Sequence, residues 1–102
     1  MATEQAIIIK FNYGLKDLKP FYDLSSKLDS IVEKTSLGEY DGHEMAVDLS
    51  DGYFFIYGSD VRKLYEVIKP IIDNTLFMKG ANIKLRFGPP EDGVEEMNFL
   101  VE

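Results

Sequence analysis

Hydrophobic spacing switches along this chain between a period of two and a period near 3.6, and that switching limits the fold more than any single motif does. From Ala6 to Tyr13 the residues alternate, with Ile7, Ile9, Phe11 and Tyr13 on one side and Ile8, Lys10 and Asn12 on the other. This is the spacing of a strand with one well-buried face. Gly14 breaks it, and a helix is expected from Asp17, a suitable N-cap, with Pro20 in the first turn, where its missing N–H costs nothing. Phe21, Leu24, Leu28, Ile31 and Val32 give that helix one apolar stripe, and Gly38 is expected to end it or the loop after it.

Asp41-Gly42 then reads as a turn, and His43 to Ser50 as a strand with Met45, Val47 and Leu49 on one face. Asp51-Gly52 is the strongest hairpin signal in the chain. The returning strand, Tyr53 to Tyr57, is apolar on both sides, with Phe54 and Ile56 on one and Tyr53, Phe55 and Tyr57 on the other, which suits a central position. Gly58 ends it, and Ser59 or Asp60 caps a second helix carrying Val61, Leu64, Tyr65, Ile68, Ile71 and Ile72. Pro70 lies within that helix and is expected to bend it. A last clear strand, Ala81 to Phe87, turns Ile83, Leu85 and Phe87 inward and Asn82, Lys84 and Arg86 outward before Gly88-Pro89-Pro90 stops it. After a turn at Asp92-Gly93, Met97, Phe99 and Val101 fit a short added strand.

The order strand, helix, strand, strand, helix, strand packs as a ferredoxin-like α+β fold: a βαββαβ antiparallel sheet with two helices on one face. Residues 1–102 form a single domain in this reading. The first and third strands are central, the second and fourth are at the edges, and the terminal strand extends the sheet beyond the fourth.

Composition narrows the function classes. The chain has no cysteine, which removes disulfides, thiolate zinc sites and cysteine nucleophiles. No apolar run approaches the ~18 residues of a membrane span. The start, Met1 to Gln5, lacks the basic and apolar regions of a secretory leader, so the cytoplasm is the expected compartment and no membrane partner is expected. A net charge of -7 argues against broad nucleic-acid binding, which needs a basic footprint.

That charge is uneven. Residues 35–61 hold six acids (Glu39, Asp41, Glu44, Asp48, Asp51 and Asp60) and no base. Residues 91–102 hold five more (Glu91, Asp92, Glu95, Glu96 and Glu102), again with no base, so these two segments carry -11 and the remainder +4.

With helices on one face, the other face of the sheet is the distinctive surface. Alternation places Ile8, Lys10 and Asn12 there, with Tyr53, Phe55 and Tyr57, Lys84 and Arg86, and Glu44, Ala46, Asp48 and Ser50 from the edge strand. It would run from acidic, through an aromatic stripe, to basic. Such a stripe either stabilises the sheet through cross-strand pairs, is covered by the terminal segment, or meets a partner.

Asp51-Gly52-Tyr53-Phe54-Phe55-Ile56-Tyr57 resembles the aromatic signature of the RNA-recognition motif, in which two aromatics stack bases on the open face. Asp51 stands where that family has Lys or Arg, Phe54 where it has a small residue, and Ile8 where the first strand has an aromatic. Stacking could survive these departures, but phosphate attraction would be poor.

Nothing in the sequence calls for an enzyme, a metal or a cofactor. His43 and Glu44 point to opposite faces of a strand, so they do not converge as metal ligands with Asp41 and Asp48. The serines fit helix, cap and turn duties, and the eight glycines are scattered singly, with no phosphate loop.

Three phrases, Gly38-Glu39-Tyr40-Asp41-Gly42-His43-Glu44, Tyr57-Gly58-Ser59-Asp60 and Leu85-Arg86-Phe87-Gly88-Pro89-Pro90, resemble a group of small uncharacterised bacterial proteins. The resemblance spans residues 38–90 and implies a bacterial ferredoxin-like domain, with no activity attached.

Two classes of function follow. The first is a non-catalytic protein-binding module, such as an immunity-type or antagonist protein that meets a basic partner through Tyr40, Asp41, Glu44, Asp48, Asp51 and Tyr53. The alternative is a small ligand or single-stranded nucleic acid on the open face, at Lys10, Tyr53, Phe55, Tyr57, Lys84 and Arg86. A homodimer through the open face would cover the same stripe.

Overall fold

The strand on which the sheet is built is the first one, because its apolar residues meet strands on both sides. A computed structural model describes residues 5–101; residues 1–4, on which the leader reading rests, and Glu102 of the acidic tail lie outside the described residues. In β1 (Gln5–Asn12), Ile7, Ile9 and Phe11 are buried while Lys10 and Asn12 are exposed. The helix α1 spans Lys19–Thr35, β2 Gly38–Met45, β3 Asp51–Gly58, α2 Val61–Asp73, β4 Asn82–Arg86 and β5 Glu96–Leu100. A short 3-10 turn at Leu76–Met78 separates α2 from β4.

The five strands form one antiparallel sheet in the order β2-β3-β1-β4-β5, an α+β arrangement that fits the ferredoxin-like expectation, with the terminal strand beyond the fourth. Ile7, Ile9 and Phe11, Phe54 and Ile56, and Ile83 and Leu85 form one core with Phe21, Leu24, Leu28 and Val32 of α1 and Val61, Leu64, Ile68 and Ile72 of α2. Both helices therefore cover the same face. Ile8, Tyr53, Phe55 and Tyr57 stand on the other.

Helix starts depart slightly from expectation. Helix α1 begins at Lys19 after Leu18, and Asp17 contributes from one residue further out, its carboxylate accepting the Lys19 N–H at 2.9 Å. Asp60 caps α2, its carboxylate accepting the Lys63 N–H at 3.1 Å.

The second strand is the main correction. It runs Gly38–Met45 rather than His43–Ser50, and the hairpin loop occupies residues 46–50 rather than Asp51-Gly52. Val47, expected to be buried, is fully exposed. Ala46 N–H closes the loop on the Asp51 carbonyl at 2.9 Å, and Leu49 takes a left-handed conformation at φ 62°. Asp41-Gly42 is a bulge rather than a turn, because the pairing slips by one residue between Tyr40 and Gly42. Of the two roles expected of Gly38, it takes the second, ending the loop after the helix, while Ser36, at φ 57°, is the left-handed residue at the helix end. Gly38 opens β2 opposite Gly58, where a Cβ would lie 2.0 Å from the Tyr57 carbonyl oxygen and 2.9 Å from the Gly58 Cα.

Replacing Gly38 by Ala forces those backbones apart and is expected to cost at least ~2 kcal/mol of stability, in the range of core overpacking. Replacing the exposed Val47 by Ser should stay within about 0.5 kcal/mol. Urea midpoints of the two variants check both.

Candidate interaction surface

The register of the sheet places side chains on its uncovered face in three rows. At one end Glu44, Tyr53, Lys10, Asn82 and Leu100 follow one another across the five strands. The middle row is Gly42, Phe55, Ile8, Lys84 and Asn98, and the third is Glu39, Tyr57, Ala6, Arg86 and Glu96. Asp51 stands opposite Asn12 just beyond the first row. The face runs from acids on β2, through the aromatics of β3 and the centre of β1, to bases on β4.

The aromatics hold one another in place. The Tyr53 and Phe55 rings, two residues apart on one strand, stack with centroids 5.9 Å apart and planes 11° from parallel. The Lys10 ammonium lies 6.0 Å from the Tyr53 ring centre, at the outer limit of a cation–π contact. Gly42, at φ 129° in the bulge, adopts a conformation side chains avoid, and it puts no side chain over Phe55 on the β2 side. Arg86 donates from Nε to the Gly88 carbonyl at 2.8 Å, which steadies its guanidinium at the base of the β4–β5 loop. Residues 96–100 lie beside β4 as β5 rather than folding over the stripe.

The geometry sorts the residues proposed for a partner. Glu44, Asp51 and Tyr53 come together on the uncovered face, and Lys10, Phe55, Tyr57, Lys84 and Arg86 share it. Tyr40 faces the helices: its hydroxyl shares a 2.7 Å hydrogen bond with Ser25 of α1, and its ring lies 6.3 Å from Phe54. Asp41 sits at the bulge without a partner residue opposite it on β3. Asp48 shapes the hairpin loop, accepting from Ser50 N–H at 3.1 Å and from Ser50 Oγ at 2.6 Å, and those bonds hold its carboxyl below the usual range. Ala46 and Ser50, also expected on the open face, belong to this loop.

Glu39 was not singled out by the sequence, yet it stands opposite Tyr57 on the same face as Glu44. Strict alternation puts two residues five apart on opposite faces, so only the bulge could have revealed it. His43 and Glu44 do point to opposite faces. The imidazole lies on the helix side, 4.7 Å from the Phe21 ring and 6.1 Å from that of Tyr22. Among the described residues no group of three His, Asp or Glu side chains converges to hold a metal ion, and no helix is long and apolar enough to cross a membrane.

Comparison with family models, with curated proteins and with solved structures finds no match to this chain.

Three phenols report on the packing behind the surface. Burial pushes the hydroxyls of Tyr13, Tyr40 and Tyr65 above their ordinary value of 10.0. An acid held protonated by the fold gives stability that is full below its unfolded pKa and is lost as pH rises through the folded one. Stability should therefore be level up to about pH 10 in these groups and fall above it. Tyr40→Phe should lose ~1 kcal/mol at neutral pH with its Ser25 bond, and should flatten the alkaline limb. Urea titrations between neutral and alkaline pH measure both effects.

Proposed function

We propose that the chain is a non-catalytic protein-binding module that meets a basic partner through the acidic edge of its uncovered sheet face. The observation that carries this reading is the spread of Glu39, Glu44 and Asp51 along one side of this face, Glu39 opposite Tyr57, Glu44 opposite Tyr53 and Asp51 two residues before it, with Tyr53 and Tyr57 half-buried. Aromatics supply contact area at low entropic cost, and flanking acids steer an oppositely charged surface into place. A bacterial cytoplasmic immunity-type or antagonist protein, acting on a basic toxin or enzyme, is the concrete form, built on a ferredoxin-like βαββαβ frame extended by β5. Asp41 and Asp48 lie at the margin of that contact, while Tyr40 supports it from behind.

The test is affinity capture from the native cell, followed by kinetics with the purified partner. The E39K/E44K/D51K variant should associate at least about tenfold more slowly at low salt, and the difference should shrink as salt rises. Tyr53→Ala should act on dissociation instead. Capture that is indifferent to the charge reversal would sink the assignment of the surface.

A second reading rests on Lys10 over Tyr53, next to the stacked Phe55, with Lys84 and Arg86 in the two other rows of the same face. Here a single strand or a small anion lies across the aromatics. Titration with oligothymidylate at low salt separates the two readings: tyrosine fluorescence responds in this one and stays flat in the first. Sedimentation of the free chain shows whether a second copy occupies the face.

A further inference from the structure

Where the segment after β1 meets the first half of α1 and the segment after α2, the surface opens into a groove of about 500 Å³. That size falls within the range of small-molecule sites. Its residues are distinct from the Tyr53–Phe55 stripe and from the acids beside it. Tyr13 and Phe77 line it edge to face, with centroids 5.0 Å apart, and the Tyr13 hydroxyl donates to the Asp17 carbonyl. Phe77 is fixed in turn against Phe11 of the core, 5.4 Å away. The floor is therefore anchored rather than loosely filled.

The rim combines two features that folding does not require. Leu15 and Leu76 line the groove while 43% and 80% exposed, so much of their apolar surface stays in water. Lys27 and Lys79 line it too, and among the described residues neither ammonium has an ion pair or a hydrogen bond. The single acid of the lining, Asp23, is engaged by Lys19 at 3.0 Å. The groove is thus apolar with an uncompensated positive rim, on a chain whose net charge is -7.

A neutral apolar molecule would cover the leucines and leave both ammonium groups unpaired, and a cation would be repelled. An anion with an apolar body uses both features. We propose that this groove binds a small amphipathic carboxylate, its apolar part against Leu15, Leu76 and Phe77 and its carboxylate held by Lys27 and Lys79. The site is independent of the partner surface proposed above.

Octanoate, octanol and octylamine, matched in chain length and differing in charge, test this by amide chemical-shift mapping on the full chain. Octanoate should give saturable shifts at Leu15, Lys27 and Leu76 to Lys79, with octanol bound about fivefold more weakly and octylamine more weakly still. The K27Q/K79Q variant should lose the preference for octanoate over octanol, and L76S should weaken both. These side chains are exposed, so unchanged thermal midpoints should accompany the variants. Equal binding of octanol and octanoate would overturn the proposal. So would shifts centred on Tyr53 and Phe55, or no saturable shifts at millimolar octanoate.

Discussion

The close approach of β2 and β3 governs which residues this protein shows to its surroundings. At one end Gly38 faces Gly58, where neither residue has room for a Cβ. At the other, Gly52 lies opposite Met45 and under the ring of Phe11, and a Cβ on it would come within 2.6 Å of the Glu44 carbonyl oxygen. Between these two fixed points β2 has one more residue than β3. The bulge between Tyr40 and Gly42 absorbs it. Tyr40 consequently turns inward to Ser25, while Glu39 and Glu44 emerge on the same outer face.

The uneven charge of the sequence acquires a spatial meaning from this register. The acids of β2 and the Glu96 of β5 lie at opposite edges of the sheet, with Lys10, Lys84 and Arg86 between them. In the first row Glu44 and Lys10 stand two strands apart, and in the third Arg86 and Glu96 stand on neighbouring strands, with about 4.8 Å between neighbours. Arg86 and Glu96 thus lie within the Debye length at physiological salt, about 8 Å, and Glu44 and Lys10 lie just beyond it. A partner that covers the stripe meets both signs, which favours orientation-specific contact over general attraction.

How much of this could be read in advance depended on the range of the forces involved. Strand β1, both helices and the outward Tyr53, Phe55, Tyr57, Lys84 and Arg86 follow from local periodicity, and the structure places them accordingly. The second strand did not, because Asp51-Gly52 is the strongest hairpin signal in the chain, Asp41-Gly42 reads as a turn, and Met45, Val47 and Leu49 alternate as a strand would. The choice was made by contacts remote in sequence. The Tyr13 and Gly14 N–H groups donate to the Ser50 and Leu49 carbonyls at 2.8 and 2.7 Å, which ties the loop at 46–50 to the end of β1. The groove was equally hidden, since Leu15, Lys27 and Leu76 come from three separate segments with no shared motif.

Folding also leaves the charges free to be placed in this way. The buried core of the described residues holds no charged side chain. The ion pairs Lys19–Asp23 and Lys69–Asp73 are exposed i,i+4 contacts, a class that adds a few tenths of a kcal/mol each. Stability therefore comes from the apolar layer between helices and sheet, and from the glycine contacts that let β2 close against β3. Most of the acids and bases could change without unfolding the chain. Side chains that the fold does not need, gathered beside a stacked aromatic pair and around an apolar groove, are the ones whose substitution reads binding separately from stability.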